Sequence, residues 1–453
     1  MSHTRSLPDS ILVAATLGLL LWLPVPLGSN RDWSAGLLIF VVAILAGAWC
    51  LTQLNSGRFG SRALKRAWPM IGLLLTAQVW VGLQLLLGVS RNTGASLQYL
   101  ALGCAYAMLF VLVLGLFNTR RRLTLLLSVL VVSGTLQAFY GTLMTLSGTE
   151  WLLVGGKEAY RGDATGTFVN RNHLAGYLEM TLACGVGLLL ALRDGRPFRW
   201  RYVLELLEGP KTRLRIALVI MVIALVMTHS RMGNAAFFAS LMIIGSLFTF
   251  LNKEHRLRNI AILVSLVIID VLVVSQFFGL DKLKERLLET QFNDEVVDGE
   301  VVASANEQRD DIFGYALPLL KESPLTGIGA GAFEASFQRF PGADIRLNFD
   351  HAHNDYLQFA IEFGLIGSLP LALFALLAFY HALKALWRCE SWYRSGIGFG
   401  AAMGILALLI HSFTDFNLQI PANAATFVVL CAIAVLANHH RNPGQSRRPA
   451  ASE

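Results

Sequence analysis

The sequence predicts an all-α protein that crosses a membrane about twelve times. Hydrophobic residues make up 55% of its 453 residues and charged residues only 15%, and the mean hydropathy is +0.55. The apolar residues form long runs, each close to the roughly 20 residues that a helix needs to span a bilayer. Because these runs are continuous rather than alternating, they exclude a closed β-barrel, which is the other backbone arrangement that lipid tolerates.

Twelve apolar runs define the predicted spans. In chain order they cover residues 9–28, 34–52, 67–88, 96–117, 123–146, 173–192, 214–229, 234–251, 259–278, 356–386, 396–413 and 420–438. The polar stretches between them divide the chain into four parts. We expect an N-terminal bundle of about nine spans over residues 1–278, a helical loop subdomain over 279–354, the closing helices over 355–438 and a polar tail over 439–453.

Basic residues mark every second connection between the runs. They are Arg58, Arg62, Lys65 and Arg66 after the second run, Arg120 to Arg122 after the fourth, Arg193, Arg196, Arg199, Arg201, Lys211, Arg213 and Arg215 after the sixth, Lys253, Arg256 and Arg258 after the eighth, and Lys384, Arg388 and Arg394 after the tenth. Basic connections face the cytoplasm, so both termini are expected inside and residues 279–354 outside. This topology and anionic lipid account for the net charge of +7, so the charge does not require nucleic acid binding.

Three arginines on the expected outer side contradict this charge rule. Arg161 and Arg171 flank the entrance to the sixth run, and Arg231 lies in the turn before the eighth. A guanidinium fork binds phosphate or carboxylate through two hydrogen bonds, so these residues indicate either a phosphate-bearing ligand or internal ion pairs with Asp163 or Glu158. For Arg231 the alternative is a side chain that extends to the membrane interface.

A fourth arginine, Arg309, begins a predicted helix in the long outer segment. Ser304 and Glu307 have the spacing of a capping box that opens this helix. The expected apolar stripe behind Arg309 consists of Ile312, Phe313, Ala316, Leu317 and Leu320. An arginine on an apolar face that points into the protein requires an anion there.

Polar residues then precede the tenth run, from His351 onward. His353 lies just ahead of a predicted helix start, where the positive end of the helix dipole keeps an imidazole neutral, as a general base needs to be. Asn354 or Asp355 can cap the helix. Gly364 and Gly367 are expected one turn apart on one helix face, where another helix could pack closely. The alternative is a capped helix end that carries an ordinary interfacial histidine.

Together these residues resemble the O-antigen ligase and O-antigen polymerase superfamily of bacterial envelope glycosyltransferases. The ligase pattern is His, then Asn, Ser or Gln, then nine residues, then Gly-x-x-Gly, and His353, Asn354, Gly364 and Gly367 fit it without a gap. The turn Ser230–Gly233 is similar to the family's Ser-Arg-Gly turn, except that Met232 stands where glycine is frequent. Arg309 corresponds to the family's arginine early in the large outer loop.

The resemblance implies a metal-independent, inverting, C-type glycosyltransferase in the bacterial inner membrane, with its site facing the periplasm and with no cofactor. Its donor would be an undecaprenyl-pyrophosphate-linked glycan, and its acceptor a hydroxyl of lipid A-core or of a growing polysaccharide. His353 would be the catalytic base. Arg231 and Arg309 would bind the pyrophosphate, with Arg171 as a third candidate, and Arg161 and Asn354 would also contact substrate. Preorganised arginines stabilise a departing pyrophosphate without a divalent ion.

Two alternatives remain open. The segment from Leu409 to Pro421 resembles members linked to polymer assembly, so a repeat-unit or exopolysaccharide polymerase is the close runner-up, and neither acceptor nor sugar is determined. A transporter or flippase of lipid-linked glycans also suits about twelve spans, but transporters carry mid-membrane charges and repeated halves. Here Glu179 and Asp270 are acidic residues predicted within spans, and the polar groups otherwise gather at one face.

Overall fold

Helices form almost all of the secondary structure in the described residues. The computed structural model describes residues 7–56, 61–153, 155–192, 210–251, 295–297, 300–302, 307–339, 349–388 and 391–440, with single positions at 256, 260 and 264. The helices are α1 (Leu7–Trp22), α2 (Asp32–Ser56), α3 (Arg62–Arg66), α4 (Trp68–Leu86), α5 (Thr93–Leu116), α6 (Arg120–Ser147), α7 (Arg171–Ala191), α8 (Pro210–Met227), α9 (Arg231–Leu251), α10 (Glu307–Glu322), α11 (Phe333–Phe337), α12 (Asp355–Arg388), α13 (Trp392–His411) and α14 (Pro421–His439). Two short antiparallel pairs join β1 (Trp151–Leu152) to β2 (Gly155–Gly156) and β3 (Glu295–Val297) to β4 (Glu300–Val302).

The helices confirm an all-α polytopic membrane protein. In the part of the chain that the structure describes, nine helices are long and apolar enough to cross a membrane: α2, α4, α5, α6, α7, α9, α12, α13 and α14. With the shorter α1 and the more charged α8, they match every predicted run except residues 259–278, of which the structure describes only positions 260 and 264. The predicted division of the chain at residues 278, 354 and 438 stays a prediction, although α12 does begin at Asp355.

Two helices form the centre of the bundle. The apolar window of α14 is entirely buried and that of α7 is 94% buried, whereas only 22% of the α2 window is buried. Glycines allow α7 to approach α13 closely, because a β-carbon on Gly187 would lie 2.7 Å from the Cα atom of Gly400. Such small residues let helix backbones meet inside a membrane. The helices α7 and α13 therefore pack in close backbone contact.

The connections at one end of the bundle contact each other, and we call this the site end. Its described residues are 22–32, 86–93, 147–153, 155–171, 227–231, 322–339, 349–355 and 411–421. Thr167 Oγ1 donates to the Pro24 carbonyl at 2.5 Å, and the Ala164 N–H donates to the Met227 carbonyl at 2.8 Å. The opposite end carries described basic residues such as Arg120, which lies over the Tyr393 ring at 4.4 Å. Which side of the membrane each end faces stays a prediction.

The helix α12 is broken at Gly364, so the expected packing of a second helix is wrong at Gly364 but holds at Gly367. Gly364 has φ 62° and ψ −176°, which is not helical. A turn docks there instead, because a β-carbon on Gly364 would lie 2.3 Å from the Leu325 carbonyl oxygen. Gly367 faces the Trp80 ring of α4, where a β-carbon would lie 2.5 Å from Trp80 Cδ1.

Backbone hydrogen bonds close this break. The N–H groups of Ile328 and Gly329 donate to the carbonyls of Ile361 and Glu362, both at 3.0 Å. In return the Leu365 N–H donates to the Pro324 carbonyl at 2.9 Å. Polar backbone groups freed from a helix inside lipid must find such partners, so the break and the turn stabilise each other.

The buried face of α10 differs from the predicted stripe. Ile312, Ala316 and Leu319 are buried, but Leu317 is 43% exposed. Residues at positions i, i+4 and i+7 share one helix face, whereas Leu317 follows Ala316 by about 100° and so points away. Arg309 lies within α10, but its side chain is outside the described residues, as is the predicted cap Ser304.

Candidate active site

Three imidazoles surround the ring of Phe416 at the site end. His351 stacks on Phe416 with centroids 4.3 Å apart and an interplanar angle of 3°. His173 and His353 meet the same ring edge-on at 4.6 Å and 4.8 Å. Phe416 therefore joins the first turn of α7, the segment before α12 and the connection between α13 and α14.

His353 is held in a conformation that few side chains adopt. It is only 8% exposed, its φ is 48°, and its ring meets Phe349 edge-on at 5.7 Å. The left-handed backbone costs an L-residue roughly 1–2 kcal/mol, so the surrounding packing must hold it there. Asn354 follows as the helix cap, because its Oδ1 accepts from the Leu357 N–H at 3.0 Å.

Asp355 connects the start of α12 to the connection after α13. Its Oδ2 accepts from Ser412 Oγ at 2.8 Å and from the Leu418 N–H at 3.1 Å, and Gln419 Nε2 donates to Oδ1 at 3.4 Å. Its own N–H donates to the carbonyls of Ser412 and Asp415. These bonds use both carboxylate oxygens, which makes Asp355 a structural tether beside His353.

Asp415 is an anionic neighbour of two of these histidines, His173 and His353. It is fully buried, its Oδ1 accepts from the Phe416 N–H at 2.8 Å, and the same oxygen lies 3.5 Å from His173 Nε2. Burial raises the pKa of the Asp415 carboxyl, but the hydrogen bond with His173 and the charges of His173, His411 and His353 outweigh it and hold the pKa well below its ordinary value. An ionised Asp415 can therefore stabilise a protonated imidazole.

A buried acid–imidazole pair lies deeper in the bundle. His411 Nδ1 lies 2.8 Å from Glu179 Oε1, and the two side chains are 1% and 0% exposed. A β-carbon on Gly233 would lie 3.1 Å from Glu179 Oε1. Since such ionisable groups are rare within spans, their pairing here connects α7, α13 and the start of α9.

Asp163 joins the starts of α7 and α9. It accepts hydrogen bonds from Arg171 Nη1 at 2.8 Å and from His229 Nδ1. Burial raises the pKa of the Asp163 carboxyl, but the hydrogen bond from His229 and the charge of Arg171 lower it below its ordinary value. Arg231 follows His229 by two residues and opens α9, whose first turn is capped by Ser230 Oγ accepting from the Gly233 N–H at 3.2 Å.

The predicted arginines differ in what they contact. Arg171 forms the ion pair with Asp163 that the sequence left open, and it also lies over the Tyr160 ring at 5.6 Å. Arg161 is exposed, and its Nε donates to the Lys157 carbonyl at 3.0 Å. The structure thus connects Arg171 through Asp163 to His229, two residues before Arg231 in the chain, and it places His353 and Asn354 directly before α12.

A second histidine competes with His353 for the role of base. His351 Nδ1 lies 3.2 Å from Asp350 Oδ1. Burial raises the pKa of the Asp350 carboxyl, but the hydrogen bond and charge of His351 bring it below its ordinary value. Among the described residues, no three His, Cys, Asp or Glu side chains are grouped so that they could hold a metal ion.

Sequence reasoning did not select His173, Asp415, Phe416 or the Glu179–His411 pair as site residues. Two features of the sequence could have indicated these residues. Glu179 is an acidic residue within a predicted span, where ionisable residues usually mark a functional region. The run from His411 to Gln419 places several polar residues directly after a span, at the end of the bundle that already carried His353.

Comparison with known proteins supports the resemblance. Residues 216–372 match the protein family described as O-antigen ligase, and the match includes Arg231, Arg309, His353 and the Gly364 break. No curated protein matches the chain. The family implies a glycosyltransferase-type enzyme with lipid-linked glycan and polysaccharide substrates. The match of residues 216–372 thus supports the resemblance to the O-antigen ligase and O-antigen polymerase superfamily.

Proposed function

We propose that this protein transfers a glycan from an undecaprenyl-pyrophosphate carrier to an acceptor hydroxyl at the periplasmic face of a bacterial inner membrane. The observation that carries the proposal is the position of His353. It lies at the start of α12, buried against Phe416 and near the ionised Asp415, at the same end of the bundle as the arginines that begin α7 and α9.

The base chemistry follows from this arrangement. A neutral His353 takes the proton of the acceptor hydroxyl while the oxygen attacks the anomeric carbon. The bond from that carbon to the pyrophosphate oxygen breaks on the opposite face, so the configuration inverts and the lipid pyrophosphate leaves. The Asp415 carboxylate stabilises the imidazolium that forms, because opposite charges attract more strongly in a buried, poorly solvated site.

The arginines act on the leaving group. Arg231 and Arg309 bind the pyrophosphate through forked, charge-assisted hydrogen bonds, which strengthen as negative charge develops on its oxygens. Arg171 is the third candidate. Because Arg171 is already paired with the Asp163 carboxylate, a phosphate would have to share the guanidinium with Asp163 or displace it. Arg161 and Asn354 are proposed as outer substrate contacts. No divalent ion and no other cofactor is required by this scheme.

The identity of the acceptor distinguishes a ligase from a polymerase, which is the close runner-up. A ligase transfers the glycan to lipid A-core, whereas a polymerase extends a growing O-antigen or exopolysaccharide. Analysis of envelope polysaccharide from a deletion strain separates them. Core without any repeat indicates a ligase, core with one repeat indicates a repeat-unit polymerase, and unchanged lipopolysaccharide with lost capsule or exopolysaccharide indicates a secreted polymer.

Transfer by the purified protein tests the proposal directly. The assay uses lipid-linked donor in EDTA and compares wild type with His353→Ala, which should lose nearly all transfer. Robust turnover by His353→Ala, or an absolute need for added divalent metal, would overturn the mechanism. The transporter alternative has its own test, since movement of a lipid-linked glycan across liposomes by the purified protein, without transfer, would replace the enzyme with a flippase.

A further inference from the structure

Basic side chains from four helices meet at the end of the bundle opposite the site end. We call them the basic cluster, which consists of Arg66 of α3, His381 and Lys384 of α12, Arg394 of α13 and His439 of α14. The imidazoles of His381 and His439 are neighbours, with centroids 5.9 Å apart and an interplanar angle of 74°. The cluster therefore joins helices that are far apart in the chain.

The cations of the basic cluster repel one another. The positive charges of Arg66 and Lys384 act on both imidazoles. The charge of Arg394 acts on His439 as well. In the described part of the chain, no carboxylate forms an ion pair with Arg66, Lys384 or either imidazole. Since like charges held together raise the free energy of the fold, an anion bound among them would stabilise it.

The charge rule of membrane topology does not explain this convergence. The rule favours basic residues on one side of the membrane, but it does not require them to meet around a pair of imidazoles. Lys65 and Arg121 satisfy it as exposed residues at the same end of the bundle. Neither is among the charges that act most strongly on His381 or His439. The basic cluster is thus a local feature with a separate cause.

Exposed aromatic side chains place the basic cluster at the level of the lipid headgroups. Trp68 follows Arg66 by two residues, Trp387 follows Lys384 by three, and both rings are exposed. Tyr380 is also exposed, and its ring lies 5.3 Å from Lys384 Nζ. Tryptophan and tyrosine are typical of the membrane interface. Further into the span, exposed apolar side chains continue along the same two helices, at Leu75 and Val79 of α4 and at Leu373 and Leu376 of α12.

We propose that the basic cluster binds the phosphate group of an anionic phospholipid, with the acyl chains lying along the exposed faces of α4 and α12. Basic pockets between spanning helices suit such headgroups. The Arg66 guanidinium can bind two phosphate oxygens and the Lys384 ammonium a third, because a guanidinium is a planar fork and an ammonium a point charge. Arg394 and His439 supply further positive potential. This inference does not depend on the proposed function.

Lipid retention by the purified, full-length protein tests the site. The delipidated protein in detergent is titrated with phosphatidylglycerol or with phosphatidylcholine of the same chains, and bound lipid is counted by native mass spectrometry. Wild type should retain phosphatidylglycerol in preference to phosphatidylcholine. The double variant Arg66→Gln, Lys384→Gln should bind phosphatidylglycerol about tenfold more weakly, because each cation beside a lipid phosphate adds to the affinity.

A control variant removes the same charge from the same end of the bundle. In Lys65→Gln, Arg121→Gln both substitutions are at exposed positions outside the basic cluster, so this protein should bind phosphatidylglycerol as wild type does. Equal retention of the two lipids by wild type, or an equal loss in the two double variants, would overturn the proposal and reduce the cluster to ordinary interfacial charge.

Melting temperatures separate binding from folding and distinguish the two sources of phosphate. Without lipid, the Arg66→Gln, Lys384→Gln protein should melt close to wild type, because the relieved repulsion offsets the lost contact with Tyr380. A large drop would make these residues structural and overturn the proposal. Phosphatidylglycerol should raise the melting temperature of wild type only. An equal rise with inorganic phosphate alone would assign the cluster to a soluble phosphate and not to a lipid.

Discussion

Gly364 and Leu325 meet so closely that a β-carbon on Gly364 would lie 2.3 Å from the Leu325 carbonyl oxygen. The contact exists because α12 breaks at Gly364 with a positive φ. The first half of α12, which begins beside His353, is thereby attached to the turn after α10. The second glycine of the motif, Gly367, has a separate role against Trp80.

The first prediction is that Gly364→Ala destabilises the protein. An alanine there must keep a left-handed backbone and also displace the Leu325 carbonyl, so the cost should exceed about 1 kcal/mol. Thermal unfolding of the purified protein in detergent measures it. Gly72→Ala is the control, since Gly72 lies in α4 and a β-carbon added there would meet no atom within 4 Å, and its melting temperature should not fall. Equal melting temperatures for the two variants would contradict the docking of the turn.

The second prediction concerns the base. Loss of a general base typically costs about 10²–10⁴ in rate, so His353→Ala should nearly abolish transfer while the arginines still bind donor. His351→Ala should be milder, although His351 is paired with Asp350. Transfer from purified lipid-linked donor, together with donor binding, separates the two variants. If His351→Ala proves the more damaging, the base is His351 and not His353.

The third prediction tests whether the planar shape of the guanidinium, and not only its charge, is needed to bind the pyrophosphate. Arg231→Lys and Arg309→Lys keep the charge but lose the planar fork that binds two phosphate oxygens, so each should impair transfer. The measurement is in vitro transfer at equal membrane levels of each variant. Activity near wild type in both would reduce these residues to packing or interfacial roles and make Arg171 the leading candidate.

The fourth prediction is a dependence of stability on pH that involves Asp163. Its pKa is lower in the folded protein than in the unfolded chain, where it is about 3.9. Its stabilising contribution is therefore fully present above about pH 4 and is lost as the pH falls through the lower folded value. Melting temperatures of wild type and Asp163→Asn should differ at pH 7 and converge in acid. A difference that persists unchanged below the folded pKa would exclude this linkage.

The fifth prediction is topological. Because basic connections alternate so regularly, Asp298→Cys should react with an impermeant thiol reagent in intact, outer-membrane-permeabilised cells, and Arg199→Cys should not. A background without the five native cysteines removes other labelling. The reverse pattern would place the candidate site on the cytoplasmic side and remove the periplasmic assignment.

Much of the architecture could be predicted because it depends on local composition. Runs of about 20 apolar residues can only be spanning helices in lipid, and the helices α2, α4 and α5 lie where the runs predicted them. A cap at Asn354 or Asp355 was predicted from their position before α12 in the same way, and the structure shows that it is Asn354. The break at Gly364 was missed because glycine spacing alone does not distinguish a close helix contact from a positive φ.

The sequence by itself determined the membrane class, the order of the helices and the position of His353 at a helix start, because each depends on residues that are neighbours in the chain. Only the tertiary structure decided that Phe416 contacts His173, His351 and His353, and that Asp415 is an anionic neighbour of His173 and His353. Those residues lie on segments far apart in the chain. Which segments meet depends on how the ends of α7, α12 and α13 pack, and hydrophobic periodicity carries no information about that choice.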